Sequence, residues 1–268
     1  MKILKDFEII NTCLFLAKSK TLIIPDVHIG YEEALNKQGI LIPRVQFKDI
    51  MQSIERVIKN AISRYKNINK IIIIGDLKHE FGMISETEWR QTLKFIDYLQ
   101  RYCKDIVLLK GNHDKILGPI ANKRGLQIVE NIIVDNILFM HGHELPLHVD
   151  KSVKTIIIGH EHTAISLKDG PRVERFKCFL KGRWIQKERK KELKGIIGSR
   201  KEKLKKPVDL IVMPSFNPIV EGTDVLQNRL LSPFLKDADL NEFEVFIIGD
   251  KVYNFGRLKQ LIRKLKNT

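Results

Sequence analysis

Thr21-Leu22-Ile23-Ile24-Pro25-Asp26-Val27-His28 is a short strand-forming run that closes on a carboxylate and an imidazole, and Ile71-Ile72-Ile73-Ile74-Gly75-Asp76 repeats the arrangement fifty residues on. Aliphatic or β-branched runs bounded by turn residues read as strands, and residues 105–109 add a third. Helical periodicity fills the intervals. Residues 47–65 carry Ile50, Ile54, Val57, Ile58 and Ile62 at helical spacing, and residues 87–99 carry Trp89, Leu93, Phe95, Ile96 and Leu99. That is βαβα, which predicts parallel strands. From about residue 131 the strands come closer together, at 132–134, 137–140, 155–158, 164–167, 173–180, 210–213 and 244–248, and this spacing predicts antiparallel additions. An α/β sandwich of two mixed sheets flanked by helices accommodates both halves.

A chain of 268 residues with 43% hydrophobic content can bury a sizeable core as one domain, here taken as residues 1–268 with a basic insertion at about 181–206. Cys13, Cys103 and Cys178 are odd in number and far apart, with no Cys-x-x-Cys pair, which argues against a zinc ribbon or redox motif and fits a reducing cytoplasm. Lys5, Asp6, Glu8 and Asn11 interrupt the N-terminal apolar residues, so neither a signal-peptide core nor a membrane span is expected there. The net charge of +15 implies attraction to polyanions such as nucleic acid, although a lysine-rich surface also serves solubility and ion-pair networks. Residues 181–206 hold twelve Lys or Arg against three Glu and read as an insertion, a lid or a nucleic-acid arm, with a merely solvated segment as the competing reading. A second basic stretch, from Arg257 to Lys266, is interleaved with leucines and isoleucine and reads as an amphipathic helix packed on the body. A homodimer is compatible with the sequence, but no surface seam for one is readable.

The residues with chemistry collect at strand ends: Asp26 and His28, Asp76, then Gly111-Asn112-His113-Asp114, His141-Gly142-His143 and Gly159-His160-Glu161-His162. In an open α/β sheet such positions converge on one rim. A pair of divalent cations needs a bridging carboxylate and further nitrogen or oxygen donors, and Asp76, behind a glycine that lets the backbone turn closely, is the natural bridge. Asp26 and His28 are one residue apart, so in an extended stretch they point the same way, and the same period-2 argument applies to His160 and His162. Two ions, two carboxylates and a bridging hydroxide would leave a centre of about +1, which attracts phosphate. His113 and Asp114 are the catalytic candidates, with His113 placed to touch phosphate and protonate the leaving oxygen.

In order and spacing these five motifs resemble those of the calcineurin-like metallophosphoesterase superfamily. The chain is similar within it to the archaeal and bacterial ICC-like group, which includes DNA-ligase-associated members, through Gly75-Asp76-Leu77-Lys78-His79 and the run from Met213 through Asn217 to Asp224. The resemblance implies a four-layer αββα sandwich and a dinuclear site. One ion would be held by Asp26, His28, Asp76 and His162, the other by Asp76, Asn112, His141 and His160, with manganese expected and iron, zinc or nickel as alternatives. Residues 181–206 do not map onto the family.

Other residues carry plainer expectations. His143 is left to contacts behind the ligands or to phosphate, since His141 follows its apolar run directly, and His79 reads as a supporting, substrate-facing or buried structural group. Lys78 reads as no more than a surface charge. Gly249-Asp250 copies the Gly-Asp dipeptide but lies between two apolar runs, where a hairpin turn explains it, and residues 214–218 read as a loop. Three functions fit: a metal-dependent phosphodiesterase or nuclease acting on nucleic acid or nucleotides, a phosphomonoesterase or small-molecule phosphodiesterase whose basic surface is incidental, and a nucleic-acid-binding protein with a vestigial site. The last requires a broken donor set, and none is broken.

Overall fold

A computed structural model describes residues 1–82, 84–185, 206–226, 229–236 and 238–266. The first sheet runs β1 (Lys2–Leu4), β2 (Phe7–Ile10), β3 (Cys13–Leu16), β4 (Thr21–Ile24), β5 (Lys70–Ile73), β6 (Ile106–Leu109) and β7 (Gln127–Val129) in simple sequence order. Helices α1 (Tyr31–Lys37), α2 (Gln46–Tyr65), α3 (Glu86–Gln100) and α4 (Gly118–Arg124) fall between the parallel strands β4 to β7. The second sheet is built from β8 (Asn131–Val134), β9 (Ile137–Met140), β10 (Thr155–Ile158), β11 (Thr163–Asp169), β12 (Arg172–Trp184), β13 (Val208–Val212) and β14 (Thr223–Asp224), joined by β15 (Glu244–Ile248) and β16 (Val252–Arg257). Short α5 (Pro233–Lys236) and the terminal α6 (Leu258–Lys266) cover its outer face.

Alternation of side chains explains the long isoleucine runs. Ile71 and Ile73 of β5 point to the helices, where they meet Ile54, Ile58, Phe95 and Leu99. Ile72 and Ile74 point the other way, into a second apolar layer shared with Phe139, Ile157, Phe179 and Ile211 of the facing sheet. Ile156 and Ile158 of β10 then face a third layer with Phe234, Leu258 and Leu261. A strand buried on both faces must be apolar throughout, and three apolar layers between four structural ones make the αββα sandwich. The three cysteines are buried and unbridged. Among the described residues no helix is long and apolar enough to cross a membrane.

One expectation is corrected and one set of strands is added. The N-terminal strands β1 to β3 form an antiparallel meander that the sequence reading passed over, turned at Asn11 with a left-handed φ of 56°. Conversely, the second half is not simply antiparallel: β9, β10 and β13 pair in parallel. Residues 141–154 supply a helix-free crossover of the dozen or so residues that parallel pairing needs. Of the basic stretch at about 181–206, Lys181 to Trp184 complete β12, and residues 186–205 lie outside the described residues. Gly249-Asp250 is the turn between β15 and β16, with Gly249 N–H donating to Lys251 O at 2.9 Å.

Candidate metal centre

The seven expected donors converge from both sheets. Asp26 and His28 follow β4, Asp76 follows β5 and Asn112 follows β6, while His141 follows β9 and His160 and His162 follow β10. They are not presented by extended strands, as the period-2 argument supposed. His28, Asp76, His160 and His162 have φ values of 48°, 43°, 64° and 50°, so the chain coils into left-handed turns where the strands end. Such conformations cost about 1 kcal/mol or more for a non-glycine residue and persist only where the surroundings over-determine them. Here the amides of Val27 and His28 both donate to Asp76 O, at 3.1 and 2.9 Å, and Ile29 N–H donates to Leu77 O. Gly75, at φ 78°, has no room for a side chain, because a Cβ there would fall on His141 Nδ1. At Gly159 a Cβ would strike Asp26 Oδ2.

Two groups of donors share Asp76. Asp26, His28, Asp76 and His162 offer one atom each within 4.8 Å of one another, as do Asp76, His141 and His160. His28 Nε2 lies 3.6 Å from Asp76 Oδ2, and His162 Nε2 lies 3.4 Å from Asp26 Oδ1. On the other side His141 Nε2 stands 3.3 Å from Asp76 Oδ2, 3.0 Å from Asn112 Oδ1 and 3.1 Å from His160 Nδ1. Ligands held about 2.1 Å from a common ion are themselves about 3.0–3.4 Å apart, so this donor set fits a divalent cation in each group. Nδ1 of His141 faces Ile74 O at 3.0 Å, the outward hydrogen bond that fixes the tautomer of a metal-binding imidazole.

Electrostatics favour the ligand-ready forms. Burial would raise the Asp26 carboxyl, but His162 and His141 outweigh it and hold the group below its usual range. For Asp76 the hydrogen bond and charge of His141 likewise outweigh burial. Burial, with neighbouring imidazoles, pulls His28 well below its ordinary value and His160 down to about 4, so both are neutral at pH 7. His141 is the exception: burial opposes it, but Asp76 and Asp26 hold it up at about 9. It must surrender a proton to bind a cation.

His113 sits beside the shared carboxylate. Its N–H donates to Asp76 Oδ1 at 2.9 Å, Nε2 lies 3.9 Å from Asp76 Oδ2, and Nδ1 meets His79 O. Asp114 is different: its carboxylate turns away to accept from Leu77 N–H and Gly111 N–H, both at 3.1 Å, and so clamps the Asp76 and Asn112 loops together. Burial and the charge of Asp76 push it up to about 7. His79 Nδ1 meets His28 Nδ1 at 3.3 Å, and His143 lies half-buried beside His141 and His160, their ring centroids 5.1 and 6.0 Å away.

Lys78 requires a correction. It is fully buried, its ammonium donating to Glu80 O and to His113 O at 2.6 Å. Four other residues act as supports, of which Ser215 and Asn217 lie in the run that carries the family resemblance and Glu88 and Glu161 carried no expectation. Ser215 Oγ donates to Asp26 O at 3.1 Å, and Asn217 Nδ2 donates to Val27 O and His28 O at 3.0 and 3.1 Å, so the 214–218 loop buttresses the first motif. Glu88, fully buried, accepts from His79 N–H and Glu80 N–H at 2.8 and 3.0 Å. Glu161, between two donors, accepts from Leu231 and Ser232 N–H at 2.9 and 2.7 Å. Ser85-x-x-Glu88 was a readable helix-start signal, but nothing local shows that Glu88 braces the loop before it.

The family profile described as calcineurin-like phosphoesterase matches residues 19–241. No curated protein matches this chain in sequence. Among solved structures, the nuclease MPE of Pseudomonas putida shares the fold, with a TM-score of 0.57, 16% identity, and coverage of 91% of this chain and 92% of that one. Zinc-complexed Vps29 of Entamoeba histolytica aligns more loosely, with a TM-score of 0.31, 16% identity, and coverage of 88% of this chain and 99% of its own.

Proposed function

Since the chain belongs to the calcineurin-like phosphoesterase family and is a metal-dependent phosphoric ester hydrolase, we propose that it is a dinuclear phosphodiesterase or nuclease acting on nucleic acid or nucleotides. The observation that carries this reading is Asp76, common to two donor groups. Asp26, His28, Asp76 and His162 would hold one ion, and Asp76, Asn112, His141 and His160 the other. Two divalent ions, manganese first and iron, zinc or nickel as alternatives, would polarise the phosphate and lower the pKa of a water to about 7.

The chain's own residues supply the rest. His113 meets His79 O through Nδ1 and keeps Nε2 toward the centre. Burial lowers its pKa, so at pH 7 only a minor fraction of the imidazole carries the proton that it would give to the leaving oxygen. Asp114 and Lys78 act as positioning residues, holding the loops that carry Asp76 and His113. The net charge of +15 favours a polyanionic substrate, and the nuclease among the fold neighbours points the same way. This reading takes residues 1–268 as one catalytic domain.

The test is a screen of the manganese-loaded protein against cyclic nucleotides, DNA, RNA and simple phosphomonoesters at two salt concentrations. Diester cleavage is expected, with nucleic-acid binding that falls steeply with salt. Strong monoester turnover without any diester cleavage would replace this reading with a phosphomonoesterase.

A further inference from the structure

We infer that Phe81 is a stacking platform for a nucleobase of the substrate, placed at the lip of the phosphate site. The inference rests on the phosphodiester reading above and narrows its substrate to nucleoside-bearing esters. Phe81 is 53% exposed, and a single exposed phenylalanine is ordinary in itself. Its setting is what distinguishes it. One face of the ring lies on His113, the centroids 3.6 Å apart at 31°, and the same imidazole is 3.9 Å from Asp76 through Nε2. The row of rings continues behind it, His113 to His79 at 5.1 Å and His79 to Tyr31 at 4.7 Å, so one wall beside the donors is aromatic.

The backbone under Phe81 is also anchored. Buried Glu88 takes the amides of His79 and Glu80, buried Lys78 takes the carbonyl of Glu80, and Lys37 pairs with the Glu80 carboxylate at 3.4 Å. Two buried charged side chains thus fix the segment that leads into Phe81, which is more than half exposed. A phosphate bound at the centre carries its nucleoside outward past that lip. Stacking on an aromatic face is tolerant of base identity and needs no hydrogen-bond partner.

Two esters sharing one leaving group test the idea, thymidine 5′-(p-nitrophenyl phosphate) and methyl p-nitrophenyl phosphate, with calorimetric binding of thymidine monophosphate to the metal-loaded protein as a second readout. In Phe81→Ala, KM for the thymidine ester and Kd for the monophosphate should rise by about 5- to 150-fold, the range that base stacking on an aromatic supplies. The methyl ester should lose at least fivefold less, and Phe81→Trp should restore the thymidine ester. Equal losses on both esters would overturn the inference, because the ring would then only support His113. So would unchanged monophosphate binding. If the wild type hydrolyses neither ester, the phosphodiester reading fails by itself, and the monophosphate measurement still decides the stacking face.

Discussion

The Nε2 atoms of His28 and His162, 134 positions apart in the chain, stand 3.1 Å from each other. Two imidazole nitrogens so close share either a proton or a cation. Asp26 Oδ1 lies 3.4 Å from the second of them and Asp76 Oδ2 lies 3.6 Å from the first, so two carboxylates already flank the pair. Four donors so placed can converge on one ion.

Asp76→Asn removes the one carboxylate common to both groups. It should lower bound metal from two ions toward none and reduce turnover by more than the roughly 10- to 100-fold typical of residues that merely support a ligand. Metal content by elemental analysis, measured beside the rate, checks this. Wild-type turnover in the variant would end the dinuclear reading.

His113→Ala should retain its metals and lose about 10²- to 10⁴-fold in rate, the usual worth of a positioned proton donor. The loss should be smallest for leaving groups that need no proton, and a rate series over leaving-group pKa measures that slope. A uniform loss across the series would assign His113 to phosphate binding instead.

Through its side chain Asn217 reaches the backbone of a proposed ligand, Nδ2 donating to the carbonyls of Val27 and His28. Asn217→Ala should weaken manganese binding by roughly 10- to 100-fold and cost about 1–3 kcal/mol of stability through the two lost hydrogen bonds, His28 O keeping Gln46 Nε2 and Tyr31 N–H as donors while Val27 O loses Asn217. Calorimetric titration and denaturant unfolding read the two effects separately. Unchanged affinity would reduce the 214–218 loop to packing.

Lys177 donates to Ser215 O at 3.0 Å and to Asn217 O, and burial pulls its ammonium from 10.5 down to about 7. Between those values the unfolded chain keeps a proton that the folded chain has lost. The contribution of this group to stability therefore rises as pH climbs from about 7 to 10.5, and its cost is fully present below 7. Urea unfolding of wild type and Lys177→Met across that range should show the wild type gaining on the variant, at a slope of up to roughly 1.4 kcal/mol per pH unit. Parallel curves would mean that the amine titrates normally.

Strand runs were legible, and so were the candidate donors that the fold brings together, because both depend on residue type and period. Ile71 to Ile74 must be a strand buried on both faces, and a carboxylate or imidazole at its end has few structural uses. Direction of pairing was harder, since it is decided by the length of what lies between strands: residues 141–154 hold no helix and still allow β9 and β10 to run in parallel. The left-handed turns at His28, Asp76, His160 and His162 left no trace in the letters, because tertiary hydrogen bonds impose them. Lys78 shows the same limit. A lysine beside a glycine turn looks solvated until the carbonyls of Glu80 and His113 are seen to enclose it.

The proposed donors are divided between partners that neither complete the set alone: Asp26, His28, Asp76 and Asn112 ride on one sheet, His141, His160 and His162 on the other. Sliding either sheet by one residue, about 3.3 Å, would exceed the tolerance of every donor spacing in the centre. The candidate centre is therefore assembled in one step, when the two halves lock in register, and a chain whose sheets have not yet met presents only part of its donors to any one ion.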